Sequence, residues 1–407
     1  ALIITIILGT IGTTWGMIEA NRQRAIAVIQ KDLADKRTED ILGISREFST
    51  EIYDGVKKVN AAIGIRMQVL NSVLTHLGSL ESTVGQTKEI RAQTAYIHGR
   101  IGMVYASTQG AHLGDPDEAL NHYKISMDIY SGLVSDGHVE YRRHIVVTHK
   151  RVSTVYKLMD DKPAELESLM AAKSIIDEIY EENKDELDTI RLYTMIHQGV
   201  ADLLYKQGKT DEASAVYKNL IEIVRASVMQ WPADLTVKRD LAGLLSRIAM
   251  MYVRGADFES GLFHYRQTLT HYEELAIAQP TDGRAKRDLG YAHYYVGKTL
   301  VEMDNFDEGM SELAQGFDII LTRCVEFSDV ADARNDLSKY LESFADYRKH
   351  AGQQGEAVKD CRQALLALQP VVETNPDNLA LDNLYQQIQL MMSNLQKVAT
   401  TAQETPQ

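Results

Sequence analysis

The chain has 407 residues, 44% of them apolar and 25% charged, and carries a formal net charge of −14. That apolar share is ample for a core, whereas the acidic excess argues against the basic stripe that phosphate-backbone binding needs, so no nucleic-acid partner is expected. Only seven prolines favour helices, and two cysteines, Cys324 and Cys361, are too few for a disulfide framework and lack metal-ligand spacing.

Residues 1–18 (ALIITIILGTIGTTWGMI) are apolar and uncharged, with Trp15 near their end. A helix of that length rises roughly 27 Å, close to the hydrocarbon thickness of a bilayer. The chain starts inside the apolar run, without a basic leader or a small-residue cleavage site. A transmembrane helix at 1–18, with part of it upstream, and a single-pass membrane protein are therefore expected. Residues 19–58 predict a charged helical stalk, interrupted at Gly43 and Gly55. Over 59–87, Ile63, Met67, Leu70, Leu74 and Leu77 fall on one face of an amphipathic N-terminal capping helix.

From 88 to 376 a pattern recurs every 48 residues. Arg143, Arg191, Arg239 and Arg287 form one column, continued by Asn335; Ile145, Tyr193, Leu241, Leu289 and Leu337 form another. Ala201, Ala249, Gly297 and Ala345 make a small-residue column, followed twelve residues later by Ala213, Gly261, Gly309 and Ala357. A fixed period of this length marks stacked repeats, each packing on its neighbours, and favours an extended binding surface over a catalytic pocket. About six helix pairs fit, the first with an insertion at 107–114 and the second degenerate, with Glu165 in the small column. Turns such as Asp115-Pro116-Asp117, Gly208-Lys209-Thr210-Asp211 and Asp304-Asn305-Phe306-Asp307 carry helix-start chemistry. A C-terminal capping helix at 377–399 and a disordered tail at 400–407 complete the expectation.

The small residues in both helices and the bulky residue four positions later (Tyr217, Tyr265, Leu313), with loop prolines at Pro232, Pro280 and Pro376, resemble the tetratricopeptide repeat. That resemblance implies an all-α, right-handed solenoid of helical hairpins, here with 48-residue units where the common form is shorter. A second resemblance runs through nearly the whole chain. The apolar span, Ala20-Asn21-Arg22-Gln23-Arg24-Ala25, Glu51-Ile52-Tyr53-Asp54, Arg66-Met67-Gln68-Val69-Leu70, Leu113-Gly114-Asp115 and the Arg-Asp-Leu helix starts at 239 and 287 are similar to the post-membrane region of bacterial transmembrane serine/threonine protein kinases. It implies repeats outside the cytoplasm, whereas Arg22, Arg24, Lys31, Lys36 and Arg37 beyond the span would favour the cytoplasmic side. The kinase domain's own His-Arg-Asp, Asp-Phe-Gly and Gly-rich motifs are absent from this sequence.

No residue set predicts catalysis, a cofactor or a metal. Gly297-Lys298-Thr299 suggests a phosphate loop, but the required upstream glycine is Ala292 and the stretch reads as helix, so packing is the better account. Asp304 to Gly309 has the wrong offsets for a calcium loop, and the twelve histidines show no ligand spacing. Tyrosine is abundant, 20 against seven phenylalanines, and Tyr291 and Tyr294 crowd one first helix beside Lys298. Counting from the small column, the side chains expected on a concave binding face are Gln198, Asp202, Ser246, Met250, Tyr294, Lys298, Glu342 and Asp346, with Tyr291 joining them from the aromatic crowd. The expected function is a non-catalytic, membrane-tethered interaction or sensor module. It would take a protein or peptide ligand on the solenoid and could self-associate, with a receptor-like serine/threonine kinase as its parent or, alternatively, a membrane-anchored scaffold or transmembrane transcription regulator.

Overall fold

The computed structural model describes residues 63–106 and 112–403, together with scattered positions between 17 and 47. Fourteen α-helices follow in chain order from residue 63 among the described residues. The first, α1 (Ile63–Val84), stands alone. Six hairpins come next: α2 (Lys88–Tyr105) with α3 (Pro116–Ser135), α4 (Arg142–Leu158) with α5 (Lys162–Glu182), α6 (Leu187–Lys206) with α7 (Thr210–Gln230), α8 (Leu235–Arg254) with α9 (Phe258–Ala278), α10 (Gly283–Glu302) with α11 (Phe306–Glu326), and α12 (Ala331–His350) with α13 (Gln354–Thr374). A final helix, α14, runs Leu379–Gln403, reaching past residue 399 because no glycine or proline intervenes before Pro406.

Sequence dictates where six of these helices start. Side chains of Thr87, Asp115, Asp161, Asp234, Asp257 and Asp282 each accept a hydrogen bond from a free amide of the first turn. Lys209 and Asn305 make no such cap; the Asn305 amide donates to Glu308 instead, at 2.8 Å. In each hairpin from the second to the sixth, the turn holds one residue with positive φ: Asp160 (56°), Gly208 (80°), Ala256 (61°), Asp304 (61°) and Gly352 (71°). These five lie 48 residues apart, as do the starts of α6, α8, α10, α12 and α14.

The chain divides into two compact units, residues 1–196 and 197–407. In the first, α1 buries Leu70, Val73, Leu77 and Leu80 against Ile90, Ile97 and Ile101 of α2, with Leu42 joining the same core. Tyr123 of α3 closes over Gly102, where an added Cβ would lie 2.8 Å from its ring. Glu165, the intruder in the small column, is 7% exposed on α5. In the second unit the cores run between consecutive hairpins, around Tyr265, Val296 and Leu300 and then around Leu313, Phe317, Tyr340, Phe344 and Leu368. Backbones touch at two places in the α10–α11 pair. A Cβ on Gly297 would sit 2.7 Å from the Gly309 carbonyl oxygen, and one on Gly316 would sit 2.7 Å from that of Gly290. Gly297 is therefore a helix-crossing residue, in keeping with the packing account of Gly297-Lys298-Thr299.

The single-pass membrane reading is corrected. Apart from Met17, the span expected at 1–18 lies outside the described residues, as does most of the 19–58 stalk, whose described positions are helical and, Leu42 excepted, exposed. Among the described residues no helix is long and apolar enough to cross a membrane. The physical reason is visible in α1, which has the length but carries Arg66, Gln68, Asn71, Ser72, Thr75 and His76 along its turns. The extracytoplasmic placement of the repeats falls with that reading.

Candidate functional site

The nine side chains expected on one binding face do not form one site. All nine belong to the second unit, and they separate into four settings. Gln198 and Asp202, one turn apart on α6, are both engaged by Arg247 of α8. Arg247 donates to Asp202 Oδ1 at 2.8 Å, and with the Gln198 amide turned to accept, Arg247 Nε reaches its oxygen at 2.7 Å. The Tyr217 hydroxyl of α7 donates to the same Asp202 oxygen. Burial and that carboxylate push the Tyr217 phenol well above its usual range. This is a tie between adjacent hairpins, and Arg247 is the residue that spacing alone could not announce.

Ser246 and Tyr291 share a niche of about 380 Å³ between α8, α9 and α10, with Thr268, Tyr272, Arg287 and Asp288. Tyr291 is committed elsewhere: its hydroxyl donates to Asp336 Oδ1 at 2.9 Å. Asp336, 4% exposed, also receives Arg287 Nε at 2.6 Å and Arg323 Nη1 at 2.7 Å. Arg323 in turn donates to the Gly283 carbonyl at 2.8 Å and to Asp332 at 3.0 Å. The bond to Asp336 raises the Arg287 guanidinium above its ordinary value. Asp288 lies 3.3 Å from Arg239 Nε, an ion pair without hydrogen-bond alignment, and burial pushes its carboxyl up despite the neighbouring arginines.

Met250 packs on the Ala249–Tyr265–Leu300 cluster. Tyr294 stands edge-on to Tyr340 with ring centroids 5.2 Å apart and hydrogen-bonds Tyr347. Lys298 turns along its own helix to Glu302 at 3.7 Å. These three serve packing and local pairing.

Glu342 and Asp346 are different. One turn apart on α12, both are exposed, and neither side chain has an ion-pair partner among the described residues. They line a groove of about 860 Å³ whose opposite wall is α14, with Gln387, Leu390, Met391, Asn394 and Leu395, while Lys339 and Lys349 flank the two acids on α12. Leu390 is 63% exposed. The α14 wall escaped the sequence reading because 377–399 was expected only to cap the array; the cue was the apolar set Leu390, Met391 and Leu395 on neighbouring turns. A wall of apolar side chains facing free carboxylates, with amides between, suits a peptide carrying both apolar and basic groups. Among the described residues there is no group of three or more His, Cys, Asp or Glu that could hold a metal ion.

No family model matches the sequence, and no curated protein matches it. Among solved structures the chain is similar to aspartyl phosphate phosphatase F from Bacillus subtilis, with TM-score 0.47 and 9% identity over 86% of this chain and 94% of that one. It is similar to BtubC (BKLC) from P. vanneervenii, with TM-score 0.46 and 14% identity over 62% of this chain and 90% of that one. The apo form of the quorum sensor NprR from B. thuringiensis gives TM-score 0.39 and 11% identity over 82% and 97%. In its own packing, the described part of the chain is an all-α succession of helical hairpins whose helices cross at small residues.

Proposed function

We propose that the chain is a non-catalytic protein-interaction module that binds a peptide segment of a partner protein in the groove between α12 and α14. The observation that carries this reading is the pair Glu342 and Asp346, without ion-pair partners among the described residues and facing the exposed Leu390 and the half-buried Met391 and Leu395 of α14. Apolar side chains of the peptide would cover Leu390, Met391 and Leu395, and a lysine or arginine would meet the two carboxylates. The net charge of −14 draws such a cationic segment toward the chain before contact. The sequence resemblance extends the reading to the regulatory arm of a serine/threonine kinase, with a transcription-regulator scaffold as the other parent.

Selection of a displayed peptide library on the chain should enrich sequences that join a basic residue to apolar ones. By fluorescence anisotropy, the affinity of an enriched peptide should fall about tenfold or more in the Glu342→Lys/Asp346→Lys double variant and again in Leu390→Asp. All three positions are exposed, so the circular dichroism of each variant should match the parent. An affinity indifferent to both changes would overturn the proposal. So would a concentration-dependent dimer abolished by the same changes, which would make a second copy the occupant.

A further inference from the structure

The niche between α8, α9 and α10 has a counterpart in the first unit, where the chemistry has changed sign. That counterpart is a cavity of about 130 Å³ between α2, α3 and α4. Three positions keep the character of the other: Ser126 and Tyr130 stand where α9 has Thr268 and Tyr272, and Arg143 stands where α10 has Arg287. Among the positions that differ, two change the charge. His144 replaces Asp288, and Arg151 replaces Tyr295. The carboxylate inside the second-unit niche is thus exchanged for an imidazole, and a guanidinium is added.

Arg151 is the unusual group. Among the described residues no carboxylate forms a hydrogen bond or an ion pair with it. The groups whose charge acts on it are the phenols of Tyr96, Tyr123 and Tyr130 and another cation, Arg100; burial holds its guanidinium below the ordinary arginine range. Room for it exists because residue 99 is glycine: a Cβ there would lie 3.0 Å from Arg151 Nη1 and 3.6 Å from Ser126 Oγ. Donors converge on the same space. The Tyr96 oxygen accepts from Arg100 Nε at 2.8 Å and Nη2 at 2.6 Å, which leaves its own proton to donate. Arg143, at the rim, is neutralised by Glu186 and bonded to Thr189 at 2.5 Å, so its carboxylate partner is already spent. A largely desolvated cation without a counter-charge is costly, and one surrounded by hydroxyl donors is arranged for an anion.

We infer that this first-unit niche is a binding site for a small oxyanion, the phosphate or carboxylate group of a ligand, held by Arg151 with Tyr96 and Ser126. The site is separate from the α12–α14 groove, and its test does not depend on peptide binding there.

Thermal unfolding and calorimetric titration with inorganic phosphate, at ionic strength held constant with chloride, are the test, with acetate as a second arm. The parent chain should bind phosphate with a one-to-one saturation curve and gain several degrees in Tm, while Arg151→Met should lose both responses. In chloride alone, Arg151→Met should be as stable as the parent or more so, because an uncompensated buried charge has been removed. Arg266→Gln, a surface ion-pair residue of the second unit, should keep the full phosphate response. A response to acetate as well assigns the site to oxyanions generally, and a response to phosphate alone assigns it to phosphoryl groups. Equal phosphate shifts in parent and Arg151→Met would overturn the inference, as would a parent that does not respond to either anion.

Discussion

The arginine column of the repeat acquires a purpose once its partners are known. Arg143 reaches Glu186 and Thr189, Arg239 reaches Gln279 and Asp282, and Arg287 reaches Asp336, each at the start of the following hairpin or just before it. Asp336 is the most demanding of these, a carboxylate 4% exposed that satisfies two guanidiniums and a phenol. Asp336→Ala should cost about 3–5 kcal/mol, because it strands buried cations rather than merely deleting a pair. Urea unfolding measures this, and Asp332→Ala, at the exposed edge of the same network, should cost about 1 kcal/mol or less. The column was legible in the sequence; its partners were not, since they lie 40 or more residues away and vary between Glu, Gln and Asp. The same gap explains Gln198 and Asp202. Spacing from the small column placed them on a face, but it carried no sign that Arg247 would cross from the next helix to occupy them. Glu342 and Asp346 escape that fate because the position in register with Arg247 is Met391 in the helix opposite.

Helices and turns obey the period more strictly than side chains do. The left-handed turn residue is glycine at 208 and 352 but alanine at 256, where a Cβ is disfavoured by roughly 1–2 kcal/mol. Ala256→Gly should therefore stabilise the second unit by about 0.5–1 kcal/mol, read as a raised unfolding midpoint with unchanged denaturant slope. The opposite holds at the α10–α11 crossing. There Gly297→Ala puts a methyl 2.7 Å from a backbone oxygen that no rotamer can withdraw, and a loss of about 1–3 kcal/mol is expected in the same experiment. Small-residue columns announced this crossing from sequence, since close approach leaves a compositional trace. The turn conformation left none, because Asp, Ala and Gly all occupy it.

Titration sets the behaviour of the molecule in acid. His98, paired with His122 at 2.9 Å, is held at about 4 by burial and by its neighbour, and burial also lowers His122, His144, His149, His264 and His271. Each folded-state value lies below that of the unfolded chain, so the stability these groups provide is present above pH 6.5 and is lost as pH falls toward 4. The Tm should drop across that window, and His98→Gln should flatten the drop. Both thiols, Cys324 and Cys361, are buried and pushed up to about 11, so they should react with a thiol reagent only at the rate of unfolding. The left-handed turns, finally, act as interchangeable joints. If residues 257–304 were excised, Ala256 would run into Asn305, the register of helices would be kept, and Arg239 would stand where Arg287 now meets Asp336. Such a shortened chain should still melt cooperatively with the helix content per residue of its parent, but at a lower midpoint, because Ala249 would face Gly309 where Gly297 now does.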